Sequence, residues 1–155
     1  MDFKKIVKKL NKNNLTIATM ESCTGGGVAN AITNIEGASD VLHFSSVTYC
    51  NEAKIKQGVP ASTINTFTVY SIETAIDMAK AVKAKANSNI GVGITGQLGR
   101  VDPRNVGVEN NKAWYSIATN NKTINAEITL YSASKKRSWK KKVIITEIIN
   151  DLYML

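Results

Sequence analysis

The chain has 155 residues, 43% of them hydrophobic, and a formal net charge of +8 at pH 7. That length suits a single domain spanning residues 1–155, with a core of useful size, and that apolar content excludes a disordered chain. No apolar run approaches the roughly 20 residues a bilayer-spanning helix needs, so no membrane partner is expected.

Phe3, Ile6, Val7 and Leu10 recur at i, i+3, i+4 and i+7 with lysines opposite, which predicts an amphipathic helix over residues 3–12. The start is charged and no apolar stretch follows it, so no secretory signal is expected. Leu15 to Thr19 reads as a short buried strand. It breaks at Glu21-Ser22-Cys23-Thr24-Gly25-Gly26-Gly27, and a helical pattern resumes from Val28 to Ile32. A Ser/Thr/Gly-rich loop before a helix offers backbone N–H groups and hydroxyls suited to phosphate or carboxylate. A tight turn that needs glycine for positive φ explains the same residues equally well.

Phe44 to Cys50 reads as a strand, and a short helix follows over Asn51 to Gln57, stopped by Gly58-Val59-Pro60. Ser71 can cap a long helix whose apolar face is Ile72, Ala75, Ile76, Ala79 and Val82. Asn89 to Thr95 mixes β-branched residues with glycine and predicts a buried strand ending at Thr95-Gly96. Residues 97–111 read as an irregular loop. Two antiparallel strands, 112–119 and 123–131, are joined by a turn at Asn120-Asn121-Lys122. A final helix from about Ser134 should bury Val143, Ile144, Ile148 and Leu152. Strands alternating with helices, then a hairpin, predict a layered α/β sandwich with a mixed central sheet flanked by helices.

The charge is concentrated at the two ends. Residues 1–14 carry +4, residues 131–155 carry +4, and the segment between is neutral. Two basic terminal helices read first as solvated faces. With Trp139 the only nearby aromatic, a stacking surface for nucleic acid is poorly supported. Cys23 and Cys50 form neither a CxxC pair nor a disulfide framework, which suits a reducing cytoplasm. One histidine, His43, leaves little scope for a zinc site or a histidine triad, so no metal and no cofactor are expected. With no usable histidine pattern, the natural base for a serine nucleophile is a lysine with a lowered pKa. Spacing alone does not choose among so many serines and lysines.

Two blocks break that tie. Thr16-Ile17-Ala18-Thr19-Met20-Glu21-Ser22-Cys23-Thr24-Gly25-Gly26 and Val47-Thr48-Tyr49-Cys50-Asn51-Glu52-Ala53-Lys54 resemble signatures of the CinA C-terminal domain family of nicotinamide-nucleotide amidohydrolases. Gly37-Ala38-Ser39, Ser71, Met78-Ala79 and Thr95-Gly96 fall in frame with the same family, so the resemblance runs from about residue 3 to 153.

Carried over by position, it implies Ser39 as nucleophile, Lys54 as its base, Tyr49 beside them, and Arg137 as the family arginine. It implies a substrate pocket formed by Ser22, Thr24, Gly25, Gly26, Thr95 and Gly96. The implied reaction converts nicotinamide mononucleotide and water to nicotinic acid mononucleotide and ammonia. The implied partners are a small-molecule nucleotide and further copies of the chain, as a homodimer or larger assembly. The sequence departs from the family after Thr95-Gly96, where Gln97-Leu98-Gly99-Arg100-Val101-Asp102-Pro103 replaces a glycine-rich stretch. That departure supports a second reading, a non-catalytic nucleotide-binding or competence-associated accessory protein of the same fold. A nucleic-acid-binding module using the two basic helices is a third.

Overall fold

The computed structural model describes residues 3–107, 109–131 and 135–155. Five strands form one sheet in the order β2-β1-β3-β4-β5. They are β1 (Ile17–Glu21), β2 (Leu42–Val47), β3 (Ile90–Gln97), β4 (Lys112–Ala118) and β5 (Thr123–Thr129). β1 runs parallel to both β2 and β3, while β4 and β5 are added antiparallel. Mixed α/β architecture is therefore what the sequence pattern predicted.

The central strands are nearly continuous in burial because helices cover both faces. On one face lie α1 (Phe3–Lys12), α2 (Gly27–Thr33) and α6 (Arg137–Tyr153), packed on Ile17, Ile90, Val92 and Ile94. On the other lie α4 (Ala61–Phe67) and α5 (Ile72–Ala86), over Ala18 and Met20. A short α3 (Asn51–Lys56) follows β2. Edge strand β5 alternates exposed and half-buried residues, as a strand with one wet face should.

Two glycines in β3 explain how close α5 sits. A Cβ at Gly93 would fall 2.3 Å from the Ala75 carbonyl and 2.4 Å from the Ala79 nitrogen. One at Gly91 would fall 2.2 Å from the Ala79 carbonyl. Only residues without a side chain let helix backbone meet strand backbone this closely. Ser71 caps α5 as expected, its hydroxyl accepting from the Thr74 N–H at 3.1 Å. The buried stripe is rotated from the expected one: Thr74 and Met78 join Ala75, Ala79 and Val82, while Ile72 and Ile76 are half-buried.

Other differences are local. β1 begins and ends two residues later than expected, so Glu21 belongs to a strand and is fully buried. Helix α4 was not anticipated, since Ala61-Ser62-Thr63-Ile64-Asn65-Thr66-Phe67 carries only one buried apolar residue, Ile64. In α6 the buried residues include Lys140 and Ile149, and Val143 is half-buried. The expected start of that helix at Ser134 lies outside the described residues. No described helix is long and apolar enough to cross a membrane.

Candidate active site

The chain leaves β1, adds β2 on one side, then crosses the opposite face to add β3 on β1's other side. The connections from the carboxyl ends of β1 and β3 diverge there, and a crevice opens between them. In open α/β sheets this switch point is where ligands bind. Ser22 is the first residue past β1, and its N–H donates to the Ile94 carbonyl of β3 at 3.0 Å. On the other side, the Thr48 N–H donates to the Glu21 carbonyl at 2.8 Å, which holds the end of β2 beside Ser22.

Lys54 reaches this point from α3. Its ammonium donates to the Ser22 Oγ at 3.2 Å and to the Thr48 carbonyl at 2.8 Å. The side chain is 2% exposed, and burial pushes its pKa down to about 8 from the ordinary lysine value of 10.5. Desolvation disfavours the charged form, so a useful fraction is neutral amine near neutral pH. Such an amine can take the proton of a hydroxyl it already touches. The neighbouring Cys23 thiol is pushed up to about 12 by burial and by the Glu21 carboxylate, so it stays protonated.

Arg137, at the start of α6, donates from Nη2 to the Tyr49 hydroxyl at 3.0 Å, and both border the cleft that holds Ser22 and Lys54. Four of the expected residues thus come together: Ser22, Lys54, Tyr49 and Arg137. The cleft has a volume of about 430 Å³ and is also lined by Gly96, Tyr70 and the loop from Gln97 to Arg104.

Ser39 does not join them. It is exposed on a short 3₁₀ turn, Ala38–Asp40, that precedes β2, whereas Lys54 follows β2. Six strand residues at about 3.3 Å each separate the two ends by about 20 Å. The structure thus brings Ser22, and not the expected Ser39, into contact with Lys54. The sequence pointed towards Ser22 only loosely: it lies in the loop that leaves a buried strand, and the structure extends that strand to Glu21 so that Ser22 opens onto the switch-point crevice.

The expected pocket residues also divide. Ser22 and Gly96 line the cleft. The Thr95 hydroxyl is fully buried and donates to the Val69 carbonyl at 2.6 Å. The Thr24 hydroxyl donates to Glu21 Oε2 at 2.6 Å. Gly25 and Gly26 take φ of +63° and +88°, the left-handed turn conformation that glycine allows. Thr24, Gly25 and Gly26 shape the loop after β1, Thr95 ties β3 to Val69, and none of the four borders the cleft.

Glu21 explains why. Its buried carboxylate accepts from Thr19 Oγ1, Thr24 Oγ1 and the amides of Val28 and Ala29. Those amides are the first free donors of α2, so the helix end already holds an anion from its own chain. A phosphate placed there would meet a carboxylate instead of open N–H groups.

The basic end helix is not simply a solvated face. Lys140 is 2% exposed and donates to the Leu98 carbonyl at 3.3 Å and to Asn111 Oδ1 at 2.5 Å. Helix patterning gave no hint of an inward lysine, because its partners lie in an irregular loop. Among the described residues, no group of three or more His, Cys, Asp or Glu side chains could hold a metal.

Comparison with known proteins agrees with this architecture. A CinA-like protein of Kosmotoga olearia is 46% identical over 95 residues, covering 61% of this chain and 23% of that protein. The chain spans about a quarter of the length of the curated relatives it matches. The competence/damage inducible protein CihA from Agrobacterium tumefaciens superposes with a TM-score of 0.82 at 27% identity, over 99% of this chain and 96% of that one. A CinA superfamily protein from Klebsiella pneumoniae shares the fold at TM-score 0.87 and 18% identity, over 97% of this chain and 92% of that one. The family model for the CinA C-terminal domain matches residues 3–144, and the chain belongs to that family.

Proposed function

We propose that this chain is an amidohydrolase that attacks the carboxamide of nicotinamide mononucleotide with Ser22, using Lys54 as the base. The observation that carries the reading is the Ser22–Lys54 contact of 3.2 Å at a switch-point cleft, with the lysine buried and its pKa lowered. In the reactive state the neutral Lys54 amine accepts the Ser22 proton as Oγ bonds to the carboxamide carbon. The carbonyl π bond opens to an oxyanion. The Arg137 guanidinium and the Cys23 N–H, next in the chain after Ser22, are the donors available to stabilise it. Lys54 then returns the proton to the departing nitrogen, the C–N bond breaks, and ammonia leaves an ester on Ser22. A water gives its proton to Lys54 and attacks the ester. The acid is released, and Lys54 reprotonates Ser22.

Tyr49, held by Arg137, is placed to orient the pyridine ring or the guanidinium. The reaction calls on no group outside this chain except water. Acid-quenching the enzyme during turnover of nicotinamide mononucleotide and mapping the adduct by peptide mass tests the reading. An acyl ester on the peptide carrying Ser22 supports it. An absence of both adduct and ammonia would leave the non-catalytic nucleotide-binding role as the better account.

A further inference from the structure

The α2 terminus is closed by Glu21, yet the cleft is electropositive. Arg100, Arg104 and Arg137 line it together with Lys54, against one carboxylate, Asp102. Asp102 is already committed: it accepts from the Tyr70 hydroxyl at 2.9 Å, from Asn105 Nδ2 at 2.9 Å and from the Arg104 N–H at 2.9 Å. Those bonds hold its carboxyl below the ordinary range, so it remains an anion that orders the loop. By contrast, neither the Arg100 nor the Arg104 guanidinium has an ion-pair or hydrogen-bond partner among the described residues. Glu52 is the other acid whose charge Arg104 feels.

The loop that carries these arginines is anchored at both ends. Lys140 holds the Leu98 carbonyl. The Asn110 side chain bonds both the N–H and the carbonyl of Gly99. Gln97 Oε1 accepts from the Asp102 N–H at 2.9 Å, and Tyr70 holds the Asp102 carboxylate. Arg100 therefore projects from between two fixed points, and Arg104 from just beyond the second. With the backbone already fixed, binding has only the two exposed side chains to order, and a phosphate's oxygens fit the fork of donors that each guanidinium presents.

We propose that Arg100 and Arg104 form an anion clamp that takes the 5′-phosphate of the nucleotide whose reacting carbonyl sits at Ser22. The clamp rests on the amidohydrolase reading for the position of the carbonyl, but not for the binding of the phosphate. It assigns to two arginines the phosphate role that the 22–26 loop cannot fill.

Two measurements separate the clamp from the chemistry. In the first, calorimetry follows ribose 5-phosphate binding to the wild type and to Arg100→Gln/Arg104→Gln at low ionic strength. The expected result is a loss of roughly tenfold or more in affinity, since two charge-assisted contacts are removed. Partial recovery is expected in Arg100→Lys/Arg104→Lys. In the second, kcat/KM is compared for nicotinamide mononucleotide and nicotinamide riboside. The wild type should prefer the mononucleotide by roughly 100-fold, and the Gln variant should lose most of that preference while turning over the riboside as before. Equal ribose 5-phosphate affinity in wild type and variant, no binding by the wild type, or an unchanged preference would overturn the clamp. Failure of both nucleotides to release ammonia, with ribose 5-phosphate still bound through the arginines, would sink the amidohydrolase reading and leave the clamp standing.

Discussion

Replacing Lys54 by Met should disable the site and yet leave the fold as stable as before, or more so. A folded-state pKa of about 8 against the ordinary 10.5 corresponds to about 3 kcal/mol of unfavourable charge burial when the amine is protonated. Below about pH 8 both folded and unfolded chains carry the proton, so the whole cost is present. Between about pH 8 and 10.5 the unfolded lysine holds a proton that the folded one has released, and stability rises with pH. Methionine keeps an unbranched side chain of similar length and removes the charge. It also strips the Thr48 carbonyl of the Lys54 donor, at a cost of about 1–3 kcal/mol. The net gain near pH 7 is thus about 0–2 kcal/mol. Urea unfolding followed by the fluorescence of buried Trp114 reads it directly. The difference between the two proteins should change by about 2–3 kcal/mol, in favour of the wild type, from about pH 7 to about pH 10. A difference that stays flat with pH, or a Met variant less stable than wild type by more than about 3 kcal/mol, would refute the account of a buried, depressed lysine.

Other consequences follow from the same geometry. The rate of amide hydrolysis should climb with pH and level off above about 8, as Lys54 loses its proton; a rate independent of pH between about 6 and 9 would contradict lysine as the base. Gly93→Ala drives a methyl into the α5 backbone at 2.3–2.4 Å. It should cost about 3 kcal/mol or more and lower Tm by roughly 6–12 °C in a thermal melt. Glu21→Gln replaces one carboxylate oxygen by an amide NH₂, which then faces two of the four groups that donate to Glu21, and should destabilise by about 3 kcal/mol in urea titration.

Much of the fold was legible because its signals are local. The i, i+3, i+4, i+7 spacing of Phe3, Ile6, Val7 and Leu10 marks α1 whatever surrounds it, and the Asn120-Asn121-Lys122 turn marks the β4–β5 hairpin. Features that depend on tertiary partners were not legible. Lys140 looks like one more solvent lysine until the loop carbonyl and amide that receive it are in place. Met78 displaces Ile76 from the buried stripe of α5 because Gly91 and Gly93 draw the helix onto β3 along one line. The site divides in the same way. Lys54, Tyr49 and Arg137 stand together as the family pattern implied. Ser39 does not join them, because β2 sets its exposed turn at the end away from Lys54, and spacing along the chain does not show which end of a strand a residue falls on. Glu21 reads as a loop residue in the sequence, whereas its role as the internal anion of α2 needs the turn at Gly25 and Gly26 to bring Val28 and Ala29 around it.

Ser22, and not Ser39, is the residue proposed to work with Lys54. The direct test is ammonia release from nicotinamide mononucleotide by the wild type, Ser22→Ala and Ser39→Ala. Ser22→Ala should lose turnover by about 10³-fold or more, while Ser39→Ala, altered on an exposed turn, should stay near wild type. An inactive Ser39→Ala beside an active Ser22→Ala, or a wild type that releases no ammonia, would contradict it.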